Sequence, residues 1–184
     1  EADALEATLL ELKDDYLKSA KSLSSKRTKA AKKIEKAVTQ QLGHLGMAGA
    51  NFAVQLAPQE ANRLAANGLE NGEFLISTNP GPTPQSLNKI ASGGELSRIS
   101  LAIQVITADT SRVPSLIFDE VDVGIGGGVA EVVGTLLRQL GGKAQIVCVT
   151  HLAQVAAQGH QHLTVAKSSN GKQTTSLVKQ LDDG

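Results

Sequence analysis

Aromatic side chains are nearly missing from this sequence, which holds three Phe, one Tyr and no Trp in 184 residues. Stacking platforms for single-stranded nucleic acid need such rings, so the composition argues against that mode of binding. The single cysteine, Cys148, has no partner for an internal disulfide, and no Cys/His spacing suits zinc. No apolar run reaches membrane-spanning length and no signal peptide is visible, so a cytoplasmic protein with no membrane partner is expected. The formal net charge is zero, which argues against a globally basic nucleic-acid binder. Local charge is less even. Nine of the eighteen basic residues lie between Lys13 and Lys36, opposed there only by Asp14, Asp15 and Glu35. This cluster reads as the solvated face of a coiled-coil helix, with DNA phosphates as its other reading.

From Ala2 to about Leu42 there is no Gly or Pro, and Leu9, Tyr16, Leu23, Ala30 and Ala37 recur every seven residues. A heptad-like seam of this kind wants a partner helix. No second long heptad segment follows, and the pattern is already under way at Glu1 with no initiator Met, so the sequence reads as a piece of something longer. Residues 1–42 are expected to be a coiled-coil arm segment and 43–184 a single globular lobe. Beyond Gly43 and Gly46, alternation at Phe52, Val54 and Leu56, and at Phe74 and Ile76, predicts antiparallel strands.

The lobe then changes style. Leu96, Ile99, Ile103 and Ile106 predict a helix to about Ala108, and Leu116-Ile117-Phe118 reads as a parallel strand buried on both faces. A helix is predicted around Val129–Leu140, a second buried strand at Ile146–Val149, and a further helix from about Leu152. Two strands, at 163–166 and 174–178, are expected to be joined by a turn at Asn170-Gly171. The fold class is α/β, mostly parallel sheet flanked by helices, with added antiparallel strands.

Three segments carry chemistry. Ser92-Gly93-Gly94-Glu95 opens the first lobe helix. It reads either as a capping box, S-x-x-E, or as a glycine-lined cradle whose free N–H groups receive a phosphate. Asp119-Glu120 ends an apolar strand, where a carboxylate can hold Mg²⁺ and its neighbour can deprotonate a water; a solvated strand end is the alternative. Thr150-His151 ends the next strand, so the imidazole is expected beside those carboxylates, in reach of a terminal phosphate, unless it is an ordinary surface residue. Asp122 either serves the site or caps its own loop. A phosphate-binding P-loop, G-x-x-x-x-G-K-[ST], is nowhere in the sequence, so the chain carries one half of a nucleotide site without the other.

In order and spacing, these motifs resemble the C-terminal half of an ABC-type ATPase. More narrowly, Ala91–Ile99, Ile117–Ile125 and Val149–Ala156, with Leu45-Gly46-Met47 and Phe74–Gly81, are similar to the RecN family of bacterial SMC-like DNA repair proteins. The resemblance covers essentially the whole chain. It implies the C-terminal lobe of an SMC-type head with part of its returning arm, whose partners are the N-terminal lobe of the same protein, a second protomer and DNA. It implies that Ser92, Gly93, Gly94 and Glu95 form the signature that contacts the γ-phosphate of ATP held by the opposite protomer. Asp119 becomes the Walker-B residue for Mg²⁺, Glu120 the catalytic base, Asp122 the D-loop residue across the dimer and His151 the switch histidine. ATP and Mg²⁺ are expected in the complete head, with no tight binding or hydrolysis by this chain alone. A head fragment of another SMC-like or ABC-type ATPase, not dedicated to DNA repair, is the alternative.

Overall fold

The computed structural model describes residues 1–59, 64–169 and 174–181. The chain divides into two compact units, Glu1–Ala91 and Ser92–Gly184.

The first unit begins with α1, Ala2–His44, the expected uninterrupted helix of 43 residues and about 65 Å at 1.5 Å per residue. It closes where Gly46 takes φ 75° and the Met47 N–H turns back to the Leu42 carbonyl at 3.0 Å. Its N-terminal part leaves Leu5, Leu9, Leu10 and Leu12 exposed, while Val38 and Leu42 near the other end are fully buried. That buried end lies on β1, Asn51–Pro58, which pairs antiparallel with β2, Glu70–Ser77, in the register Phe52↔Ile76 and Val54↔Phe74. A short β3, Gln85–Ser86, adds to β2.

The outer edge of β1 would expose unpaired N–H groups. Helix side chains meet them: the Phe52 N–H donates to Thr39 Oγ1 at 3.0 Å and the Val54 N–H to Glu35 Oε1 at 2.8 Å. Leu45, Met47, Ala50, Phe52 and Ile76 complete this core. Toward the bare end of the helix, the Tyr16 hydroxyl donates to the Ala65 carbonyl ahead of β2, and the Ser24 hydroxyl to the carboxylate of Glu70, the first residue of β2. Lys21, Lys26, Lys29, Lys32, Lys33 and Lys36 are all exposed along α1.

The second unit runs α2 (Gly93–Thr107), β4 (Ser115–Phe118), α3 (Gly127–Gly141), β5 (Gln145–Cys148), α4 (Ala153–Ala156), β6 (Leu163–Ser169) and β7 (Thr174–Gln180). β4 and β5 are parallel, in register from Ser115↔Gln145 to Phe118↔Cys148, as a strand–helix–strand crossover requires. α3 packs on β5, α2 and α4, burying Val133, Leu136, Leu137 and Leu140.

One expectation needs correction, and two others gain detail. β4 is not buried on both faces: Phe118 is buried, but its neighbour Ile117 is 75% exposed, and Val147 and Val149 are exposed beside it. Side chains alternate across a pleat, and the described helices cover one side of this strand pair only. The helix expected from about Leu152 is present as α4 and spans four residues, because the chain turns back at Gly159, whose N–H closes on the Ala156 carbonyl at 2.8 Å. On α2 the buried stripe is Gly94, Arg98, Ile99, Leu101 and Ala102, whereas Leu96 and Ile106 are exposed. The apolar spacing of Leu96, Ile99, Ile103 and Ile106 therefore predicts the helix without marking its buried face. β6 and β7 form an antiparallel hairpin, exposed throughout; the expected turn at Asn170-Gly171 lies outside the described residues.

Candidate functional site

The parallel register brings the ends of β4 and β5 level, and the Val149 N–H extends the ladder to the Phe118 carbonyl at 2.9 Å. Asp119-Glu120 and Thr150-His151 thus leave the sheet side by side. Asp119 is exposed; its Oδ1 accepts the Glu120 N–H at 2.9 Å, and its carbonyl accepts the Ser97 hydroxyl at 2.6 Å. An exposed carboxylate at this end suits Mg²⁺, which keeps several waters and takes one or two carboxylates together with substrate phosphates.

Glu120 has φ 58°, the left-handed region that a residue with a Cβ rarely adopts. The chain reverses there: the Val123 N–H returns to the Glu120 carbonyl at 3.1 Å, and Val121 and Asp122 are turned inward. This turn lies directly against the start of α2. A Cβ added to Gly93 would fall on the Glu120 carboxylate, and one on Gly94 would come within 3.2 Å of both the Glu120 and Val123 carbonyls. At Gly94 the close approach is to backbone, so the missing side chain matters there; at Gly93 the neighbour is the end of the Glu120 side chain, which can swing aside. Ser92 caps the helix, its Oγ accepting the Glu95 N–H at 3.3 Å, so the capping reading holds in its Ser92 half. Capping uses one of the free N–H groups of the first turn and leaves others to meet an anion.

Asp122 is 1% exposed. Its Oδ2 accepts the Thr150 hydroxyl, the His151 N–H at 3.0 Å and the Leu152 N–H at 3.3 Å, while Oδ1 lies 3.4 Å from His151 Nδ1. Burial alone would raise its pKa; the Thr150 hydroxyl, the two N–H groups and the His151 ring outweigh that and hold it below the usual carboxylate range. The carboxylate is thus occupied inside its own chain. Within 4 Å, the acidic partner that His151 meets among the described residues is Asp122. The ring itself is exposed.

Two residues given no role by the motif reading belong to this cluster. Thr150 ties the end of β5 to Asp122. Arg98 is 8% exposed and donates from Nη1 to the Val123 carbonyl at 2.8 Å. A charge on the buried stripe of α2 was the available signal, hidden because apolar spacing alone does not mark that stripe. Among the described residues no group of three or more His, Cys, Asp or Glu side chains is placed to hold a metal, and no helix is long and apolar enough to cross a membrane.

The fold is that of part of an SMC head domain. The SMC head domain of Pyrococcus yayanosii, solved with a coiled coil and joint, matches 98% of this chain and 32% of that one, with TM-score 0.65 and 19% identity. No family model matches the chain. In sequence it is 50% identical over 167 residues to the DNA repair protein RecN of Xylella fastidiosa (strain Temecula1 / ATCC 700964), covering 91% of this chain and 30% of that protein. It is 49% identical over 162 residues to the DNA repair protein RecN of Haemophilus influenzae, covering 88% and 29%. The chain is therefore SMC-like in fold and RecN-like in sequence, and it spans about 30% of the length of the curated relatives it matches.

Proposed function

We propose that the chain is the C-terminal lobe and returning arm of an SMC-like ATPase that acts in DNA double-strand break repair and recombination. The carrying observation is the parallel register of β4 and β5, which sets Asp119, Glu120 and His151 at one end of the sheet, against a glycine-opened helix. The likeness to proteins named DNA repair protein RecN supports the cellular role, with DNA as partner and the cytoplasmic nucleoid as location.

In this reading Ser92, Gly93, Gly94 and Glu95 receive the γ-phosphate of ATP bound by a second protomer, and the N-terminal lobe of the same protein supplies the P-loop that this sequence lacks. Asp119 would hold Mg²⁺, which when bound neutralises phosphate charge. The Glu120 carboxylate takes a proton from the attacking water. His151 hydrogen-bonds the terminal phosphate from its exposed ring. Asp122 contributes from below by fixing the His151 backbone, and the exposed residues after it, Val123 and Gly124, are the part of the D-loop open to a second protomer. Each nucleotide is then gripped from both heads, so binding favours association and hydrolysis releases it.

The test uses the longer protein and this chain side by side. Glu120→Gln in the longer protein should lower ATP turnover by roughly 100-fold or more and accumulate engaged heads. The 184-residue chain alone should turn over no Mg-ATP. Unchanged turnover in the variant, or hydrolysis by the chain alone, would overturn the assignment.

A further inference from the structure

The buried stripe of α2 contains one charge, and it costs the fold something. Arg98 is 8% exposed, and its Nε has no acceptor among the described residues. Burial lowers its pKa, with nearby Glu95 acting the other way. Nη1 has one neutral acceptor, the Val123 carbonyl. A buried donor left unpaired, and a charge taken from water, are both unfavourable, and an apolar side chain of similar length is commonly as good or better for stability. Ile99, Leu101 and Ala102 fill the same stripe without that cost. Stability gives no reason for an arginine here.

Position does. Arg98 Nη1 would stand 3.3 Å from a Cβ placed on Gly94, so the guanidinium backs directly onto the signature glycine. From Val123 the chain leads to Asp122, and Asp122 holds Thr150, His151 and Leu152. One continuous path thus runs from Gly94 through Arg98 and the 120–123 turn to His151. We propose that Arg98 is a positioning residue, fixing the turn that carries Glu120 and Asp122 against the glycine pair, so that a shift of the glycines displaces the turn. This rests on the ATPase reading above. There the glycines face the partner's nucleotide while Glu120 and His151 face the chain's own, and Arg98 sits between the two sites.

The test is Arg98→Met, with Arg98→Lys beside it. In the 184-residue chain Arg98→Met should leave the melting temperature unchanged or raised. The Val123 and Ile125 amides, which close the turn on the Glu120 and Asp122 carbonyls, should exchange about tenfold faster. In the longer protein kcat should fall about tenfold while KM for ATP stays within about threefold, with partial recovery in Arg98→Lys. Unaltered amide exchange, or a melting temperature that collapses along with activity, would overturn the proposal. Active wild-type protein with an equally active Arg98→Met variant would overturn it too, leaving the ATPase reading intact. Wild-type protein that hydrolyses no ATP would instead sink the ATPase reading itself.

Discussion

The Asp122 carboxylate is shared between two parts of one residue: it accepts the His151 backbone N–H at 3.0 Å and lies 3.4 Å from that residue's ring nitrogen. Its pKa is depressed below the ordinary 3.8. A depressed carboxylate contributes stability that is present above the unfolded value and lost as pH falls through the lower folded one. Asp122→Asn should therefore cost about 2 kcal/mol near pH 6, the range for hydrogen bonds to a charged group. The gap to wild type should close as pH drops below 3.8. Urea unfolding between pH 3 and 7 checks this; a gap independent of pH would show that the charge does not matter.

Ser92 has a capping duty separable from its proposed role at a phosphate. Ser92→Ala should lose about 1 kcal/mol of stability, the usual worth of such a cap. Ser92→Asp should keep that stability, because aspartate caps equally well, yet repel a phosphate at the same spot. Denaturant unfolding of the chain and ATP turnover in the longer protein should then part company for the aspartate variant. Parallel losses in both would argue against a phosphate at Ser92.

Gly134 lies where α3 meets α4. A Cβ there would meet the Gln154 carbonyl at 3.1 Å, Val155 Cα at 3.2 Å and Gln158 Cγ at 2.8 Å. Alanine gains about 1 kcal/mol in helix propensity, but crowding a packed contact costs about 1–3 kcal/mol. Two of the three contacts are backbone and yield poorly, so Gly134→Ala should destabilise. Gly128→Ala, in the same helix with open space around it, should stabilise. Chemical denaturation of the pair gives the comparison, and equal shifts would refute the close approach.

Burial, followed by the Asp122 and Asp119 carboxylates, pushes the Cys148 thiol up to about 11. The thiolate is the reactive form, so at pH 8 roughly one thiol in a thousand is poised to react. Alkylation of the folded chain should run about 100-fold slower than in urea, where a free thiol titrates near 8.5. Equal rates in the two states would contradict the placement of this cysteine beside the acidic turn.

Much of the architecture was legible because it depends on local period and turn chemistry. The gap-free run before Gly43, the alternation at Phe52–Leu56 and the capped start at Ser92 each carry their own signal. The site was legible for a similar reason: residues directly after parallel strands must emerge together, so Asp119 and His151 could be placed by counting. What could not be read depends on what covers what. Ile117 looks like core in sequence, but its exposure is set by which face α3 occupies. The same ambiguity hid Arg98, since three and four are both helical spacings and the apolar pattern fits more than one face. Asp122 was undecided between loop and site because its partners, Thr150 to Leu152, lie some thirty residues on.

Glu120 sits in backbone that glycine occupies freely and that other L-residues occupy at about 1–2 kcal/mol. The fold would be sturdier without it. Evolution can therefore run in two directions at this position. On the proposal that Glu120 is the base, a gene copy no longer selected for turnover should drift toward Gly or Asn at 120, gaining resistance to heat as it loses that chemistry. A single letter would then mark a retired head, and any laboratory screen that rewards melting temperature alone should select that same letter.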